Sequence, residues 1–447
     1  MLKVFELEKK LTDNLFVVKF FERKEMYLIQ SLPLRIWTID NYEHISDNDL
    51  IEMSTDSDSA INHFADIPIL PVPLFIVTNN CNLACDYCYA DEGSYGCEGV
   101  VMTHDVIDKT FSLLYKKYSE LIRKHNHKEI DVNAICFGGE PFINLQGMMR
   151  ILENQKEIAA KLQKEFPNTR VNILQHINTN GFGLQDASIK YISDNSEFVE
   201  FVISFDGINH DLHRRDRNKQ PTSNEVINTI KKLAENGFKL SVTCCLHPNE
   251  LSNFDDNIKY LTELFGKDIS VNFSFLRGSL HFRNLAESGK KYLYDENEIL
   301  SAAKTIKKYL ADGYSIYSKK FSDLQERASL FRCPAIGKNE ICIMPDGSIY
   351  PCHNFVDKRY SYGNVLKDDE IILKNDAFDP LVEKRNIFSQ TGCSDCCMKS
   401  ICLSSFDCPS HSLFDLGSMN ELDNGICDFA RIVQYKLLLN AVSEGLN

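Results

Sequence analysis

Between residues 74 and 278 the sequence alternates six short apolar runs with five longer helical patterns, and this alternation constrains the fold more than any other feature. The strand candidates are Leu74–Thr78, Asp131–Phe137, Val171–Ile177, Val199–Phe205, Leu240–Leu246 and Ser270–Phe275, with helical periodicity near 104–124, 144–165, 184–194, 222–236 and 251–265. Strands separated by helices pair in parallel, because each connection must cross back over the sheet. Six such repeats predict a parallel sheet curled into a partial barrel. Its chemistry belongs at the carboxyl ends of the strands.

The first of those ends carries Cys81, Cys85 and Cys88, spaced C-x3-C-x2-C, after Asn79-Asn80 opens a loop. Three thiolates at this spacing suit a four-iron cluster with one ligand fewer than the usual four, so one iron can bind something else. A structural zinc site with a fourth ligand from elsewhere is the alternative. The chain has sixteen cysteines, and in a reducing compartment clustered cysteines mean metal or catalysis. Cys97, Cys136, Cys244, Cys245 and Cys397 read instead as buried free thiols.

A net charge of −14 over 447 residues argues against nucleic acid as a partner. Met1–Lys10 lacks the apolar core of a signal peptide. The longest apolar stretch, Ile67–Val77, is broken by Pro68, Pro71 and Pro73 and is far short of a membrane span. These features predict a cytoplasmic protein with no membrane partner.

The fold class expected is α/β: a partial (β/α)6 TIM-like barrel over 71–280, with a small α+β unit before it and a cysteine-rich unit after it. In residues 1–70, Leu15–Phe20 and Met26–Ile29 read as a hairpin turning at Glu22–Glu25, and Ser46 caps a short helix to Met53. No Lys or Arg occurs between Thr38 and Val72, while acidic residues do; this run is a solvated linker or a docking surface for a basic peptide. Residues 281–332 read as a helical linker. Residues 333–447 are rich in cysteines and turns, with Pro345-Asp346-Gly347-Ser348 as a hairpin signal and an apolar helix at Phe429–Leu439.

Later strand ends add Gly138-Gly139-Glu140-Pro141, Asn178-Thr179-Asn180-Gly181 and Ser204-Phe205-Asp206-Gly207. Glycines let backbone approach a ligand closely, and a carboxylate suits an ammonium group. Each alone is an ordinary turn or cap; all three in order with the cysteines are not. Together with Tyr87 and the run His210-Asp211-Leu212-His213-Arg214, they resemble the radical S-adenosylmethionine superfamily over roughly 70–280. The resemblance implies that the cluster's open iron binds the amino and carboxylate groups of S-adenosylmethionine. It also implies that Gly138, Gly139 and Glu140 hold the amino group, and that Tyr87, Asn178, Ser204 and Arg214 belong to the cofactor site. Reduction then yields a 5′-deoxyadenosyl radical that abstracts a substrate hydrogen.

The C-terminal cysteines, with Tyr350-Pro351-Cys352-His353 and Tyr362-Gly363-Asn364-Val365, resemble the SPASM domain over about 333–430. That resemblance implies two auxiliary four-iron clusters beside the S-adenosylmethionine-binding one, three in all. Cys393, Cys396, Cys402 and Cys427 would hold the outer cluster. Cys333, Cys352 and Cys408 would hold the inner one, with Cys342 as a fourth ligand or as a packed strand residue. The spacing departs from the family pattern in one place: five residues, not three, separate Cys402 from Cys408. A zinc ribbon is the alternative for the four-cysteine set.

Resemblance to SPASM-bearing enzymes implies an oxidoreductase that matures a ribosomally made precursor peptide by a thioether or carbon–carbon crosslink. The N-terminal unit would bind the peptide's leader as an added strand, and a low-potential flavodoxin- or ferredoxin-type donor would supply electrons. A formylglycine-forming sulfatase maturase and a non-catalytic iron–sulfur electron carrier are the other readings. Tyr95, His176, His247, Arg277 and His353 lie near expected strand ends, and none is singled out as a catalytic base.

Overall fold

The structure, a computed structural model, describes residues 5–13, 15–20, 26–30, 35–39, 42–54, 71–277, 294–316, 333–383, 385, 393, 396–399, 402, 408–419 and 421–443. The turn expected at Glu22–Glu25, most of the acidic run and parts of the 281–332 linker lie outside these residues. Among the described residues no helix is long and apolar enough to cross a membrane.

Four antiparallel strands, β1 (Phe5–Lys10), β2 (Leu15–Phe20), β3 (Met26–Gln30) and β4 (Arg35–Ile39), pair in chain order ahead of helix α1 (Asp47–Met53). The expected hairpin is thus the centre of a wider sheet. The run Leu15-Phe16-Val17-Val18 is apolar throughout because both faces are covered. Leu15, Val17 and Leu28 pack with Leu50 of α1, while Phe16, Val18, Tyr27 and Ile29 join the main core. Ser46 and Asp49 form the capping box that starts α1.

The main sheet contains β5 (Val72–Ile76), β6 (Glu129–Phe137), β7 (Arg170–Thr179), β8 (Val199–Ser204), β9 (Leu240–Leu246) and β10 (Ser270–Phe275). All are parallel and neighbour one another in chain order, the arrangement expected of a partial (β/α)6 barrel. Helices α2 (His104–His125), α3 (Leu145–Glu165), α4 (Asp186–Asp194), α5 (Ser223–Glu235) and α6 (Phe254–Phe265) connect them. Period-two alternation decides the two faces. Ile177, Ile203, Cys244 and Phe273 enter the apolar core, whereas their successors Asn178, Ser204, Cys245 and Ser274 border a cavity.

The sheet does not stop at β5. Strand β11 (Glu340–Ile343) pairs with it in parallel, and β12 (Ser348–Tyr350) and β13 (Gly363–Asn364) follow antiparallel. The boundary read at 333 therefore separates segments of one nine-stranded sheet. Helix α7 (Glu296–Ala311) and the final helix α8 (Asn424–Ser443) share the main core, and Phe429 of α8 sits edge-on to Phe275 of β10, 5.0 Å between centroids.

Candidate functional site

The cavity at the carboxyl ends of the parallel strands has a volume of about 380 Å³. Cys81, Cys85, Cys88, Tyr87, Gly138, Gly139, Asn178, Ser204 and Arg214 all line it. Thr179, Asn180, Thr243, Cys245, Ser274, Arg277, His353 and Asn354 line it as well. Cys245 is thus a cavity residue, not a core thiol, and Cys97 is exposed; Cys136, Cys244 and Cys397 are buried as expected.

The cysteine loop is held from two sides. On one, the turn after β6 packs backbone to backbone: Gly139 N–H donates to Thr78 O (2.9 Å) and Glu140 N–H to Asn80 O (2.8 Å). Gly138 has φ +149°, and a Cβ at Gly139 would lie 2.1 Å from Asn80 O. The two glycines are therefore required by the approach of two protein segments. Glu140, the next residue, is held by the end of β7. Its carboxylate accepts from Thr179 Oγ1 (2.7 Å), Asn180 N–H (2.9 Å) and Phe142 N–H (3.2 Å) and is not among the cavity-lining residues. Burial pushes it up to about 7 against those bonds. Through these bonds Glu140 ties the glycine turn to the end of β7.

On the other side, the segment after β8 clasps the loop. Ala84 N–H donates to Arg215 O (2.8 Å), Asp86 N–H to His213 O (3.2 Å) and Arg217 Nε to Cys81 O (2.7 Å). His213 lies between Asp86 (2.9 Å) and Glu250 (2.7 Å) and stacks on His247, 4.9 Å between centroids. Arg214, 5.3 Å over the Tyr87 ring, pairs with Asp206 at 2.9 Å. Asp206 also accepts from Cys245 N–H (2.9 Å) and the Tyr87 hydroxyl. Sequence reading named the Ser204–Gly207 motif but passed over Asp206 as its organising member.

The donor set fits iron-bound sulfur. Burial pushes the Cys81 thiol up to about 12 and raises Cys85 and Cys88. Donors oppose it at each: Leu83 N–H at Cys81, Arg214 at Cys85, and the N–H groups of Ala90, Gly93 and Glu92 at Cys88. Such donors favour charge on sulfur, as around cluster thiolates. Among the described residues no three Cys, His, Asp or Glu side chains are gathered tightly enough for a single metal ion; the trio borders a space instead of a point.

The C-terminal cysteines fall into two electrostatic groups. Cys333, Cys352 and Cys408 act on one another, with Glu340 beside the first two. Cys393 and Cys396 act on Lys399, and Cys396 and Cys427 on Arg431. Cys396 and Cys402 each pack against the margin of the main core. Cys342 stands apart from the inner group as a fully buried strand residue among Leu74, Ile76, Tyr95 and Met344. His353 links the two regions: its Nδ1 lies 3.8 Å from Cys352 Sγ, and its ring stacks on Phe137, 5.2 Å between centroids. Of the other residues near strand ends, Tyr95 is buried and 3.1 Å from the Tyr89 hydroxyl, and His176 lies 3.6 Å from Glu200.

Residues 75–261 match the model of the radical SAM superfamily, and residues 333–397 match that of the SPASM iron–sulfur cluster-binding domain. The chain is 25% identical over 368 residues to the antilisterial bacteriocin subtilosin biosynthesis protein AlbA of Bacillus subtilis (strain 168), covering 81% of this chain and 72% of that protein. It is 23% identical over 312 residues to a cysteine-type anaerobic sulfatase-maturating enzyme of Clostridium novyi (strain NT), covering 64% and 74%. The fold is similar to that of Streptococcus suis SuiB bound to its precursor peptide SuiA, with a TM-score of 0.56 at 13% identity over 95% of this chain and 99% of that one. The chain belongs to the radical SAM superfamily of enzymes and carries a C-terminal iron–sulfur SPASM domain.

Proposed function

We propose that this chain matures a ribosomally made precursor peptide in the cytoplasm, installing a thioether or carbon–carbon crosslink. The observation that carries this reading is a single cavity bordered both by the N-terminal cysteine trio and by His353-Asn354, which directly follow Cys352. A substrate there reaches both the radical source and the inner cysteine group. S-adenosylmethionine at a reduced four-iron cluster would supply radical hydrogen-abstraction chemistry here. Cys81, Cys85 and Cys88 would hold that cluster, while the backbone of Gly138-Gly139, with Asn178 and Ser204, would seat the nucleotide. Arg214 and Tyr87, tied to Asp206, would brace the loop. Cys333, Cys352 and Cys408, and Cys393, Cys396, Cys402 and Cys427, would hold two auxiliary clusters, with electrons from a flavodoxin- or ferredoxin-type donor.

The N-terminal sheet supports a leader-binding role: its edges are β1 and β4, and an extended peptide pairs with such an edge. AlbA, a bacteriocin biosynthesis protein, aligns with 81% of the chain. The Clostridium novyi relative favours a second reading, formylglycine formation in a folded sulfatase, but its alignment covers 64% of the chain. Mass spectrometry of a precursor peptide after reaction separates the two. Crosslinking removes one hydrogen molecule per bond; formylglycine formation removes the cysteine sulfur, and that outcome would overturn the proposal.

A further inference from the structure

The hairpin of β11 and β12 pairs Cys342 with Tyr350 and Ile343 with Ile349. Carried on by one more pair on the same face, this register sets Glu340 opposite Cys352. From the other direction, Gly337, Lys338 and Asn339 donate N–H groups back to the carbonyls of Cys333, Ala335 and Pro334, folding Cys333 beside the start of β11. Glu340 acts electrostatically on Cys333, Cys342 and Cys352, and Cys408 acts on Cys333 and Cys352. No hydrogen bond or ion pair joins the Glu340 carboxylate to any described residue. A half-buried carboxylate without a donor is costly, and Glu340 lies beside Cys333 and Cys352, two of three thiols that are one ligand short of a full cluster set.

We propose that Glu340 is the fourth, oxygen ligand of the inner auxiliary cluster, on the iron that Cys333, Cys352 and Cys408 leave open. This rests on the reading that the trio holds a four-iron cluster. The other two candidates are otherwise engaged. Cys342 is packed in an apolar cluster with Leu74 and Met344, and His353 stacks on Phe137 at the first cavity. A carboxylate is a harder donor than thiolate and suits an iron that must exchange its ligand.

The test uses the full chain with Cys81, Cys85 and Cys88 replaced by Ala, reconstituted anaerobically, so that only auxiliary clusters contribute to the electron paramagnetic resonance spectrum. Glu340→Gln should keep its iron but change the spectrum, and added 2-mercaptoethanol should shift that variant's spectrum and leave the parent's unmoved. Glu340→Cys should lower the midpoint potential, as a thiolate ligand does. If Glu340→Gln loses the inner cluster, its recovery in Glu340→Cys supports the assignment, and failure to recover overturns it. A Glu340→Gln spectrum and potential identical to the parent's also overturn it. Cys352→Ala tests the underlying reading separately: unchanged iron content would show that the trio holds no cluster and remove the proposal with it.

Discussion

Asp206 and Arg214 meet in a buried ion pair, Oδ2 to Nε 2.9 Å, with 2% and 10% of their side chains exposed. Because Asp206 also accepts from Cys245 N–H and the Tyr87 hydroxyl, one carboxylate joins the cysteine loop, the turn after β8 and the end of β9. Asp206→Ala leaves a buried guanidinium without its partner, at a cost of about 3–5 kcal/mol. Urea denaturation should show a loss of that order, partly recovered by adding Arg214→Met. A loss no larger than that of a surface substitution would contradict the role.

The glycine turn braces the cysteine loop sterically. Gly139→Ala would place Cβ 2.1 Å from Asn80 O and must displace the loop. Iron analysis should show a deficit of roughly four irons per chain, with any iron at the C-terminal cysteines retained. Full iron content in this variant would show that the loop adapts.

The His213 clasp gives a pH signature. Hydrogen bonds to Asp86 and then Glu250 raise His213 from 6.5 to about 10. A group raised on folding contributes its full stability below its unfolded value, and the contribution is lost as pH rises through the folded one. The stability gap between wild type and His213→Gln should therefore be widest below 6.5, shrink above it and close above about 10. Denaturation curves across that range check this; a gap independent of pH would contradict it.

Much of this was legible in the sequence, for identifiable reasons. The six parallel strands are apolar runs flanked by turn residues, and the cysteine spacing names its own chemistry. Cys245 escaped notice because Cys244-Cys245 reads as a buried pair, although alternation from Ile203 and Ser204 on the neighbouring strand separates their faces. The bonds from Glu140 to Thr179 and Asn180 have no local signal, because the partners come from another strand end and only the fold brings them together. Strand β1 carries Glu6, Glu8, Lys9 and Lys10, charges that mark an edge strand but hide its pattern. The pairing of β11 with β5 joins segments far apart in the chain, and no local signal encodes it.

The outer cysteine group should couple radical chemistry to peptide modification. Cys396 is a neighbour of both Lys399 and Arg431, so Cys396→Ala removes a thiol from the centre of that group. Chromatography should show 5′-deoxyadenosine still formed from S-adenosylmethionine but no modified peptide. Full modification would show the outer cluster to be dispensable.

The central claim is that Cys81, Cys85 and Cys88 hold a cluster whose open iron takes S-adenosylmethionine. The direct measurement is 5′-deoxyadenosine production by anaerobically reconstituted, reduced full-length protein, compared with the variant in which all three are Ala. The wild type should form the nucleoside and the variant none, while iron at the C-terminal cysteines persists. Equal production by both, or zinc in place of iron and sulfide at the wild-type trio, would contradict it.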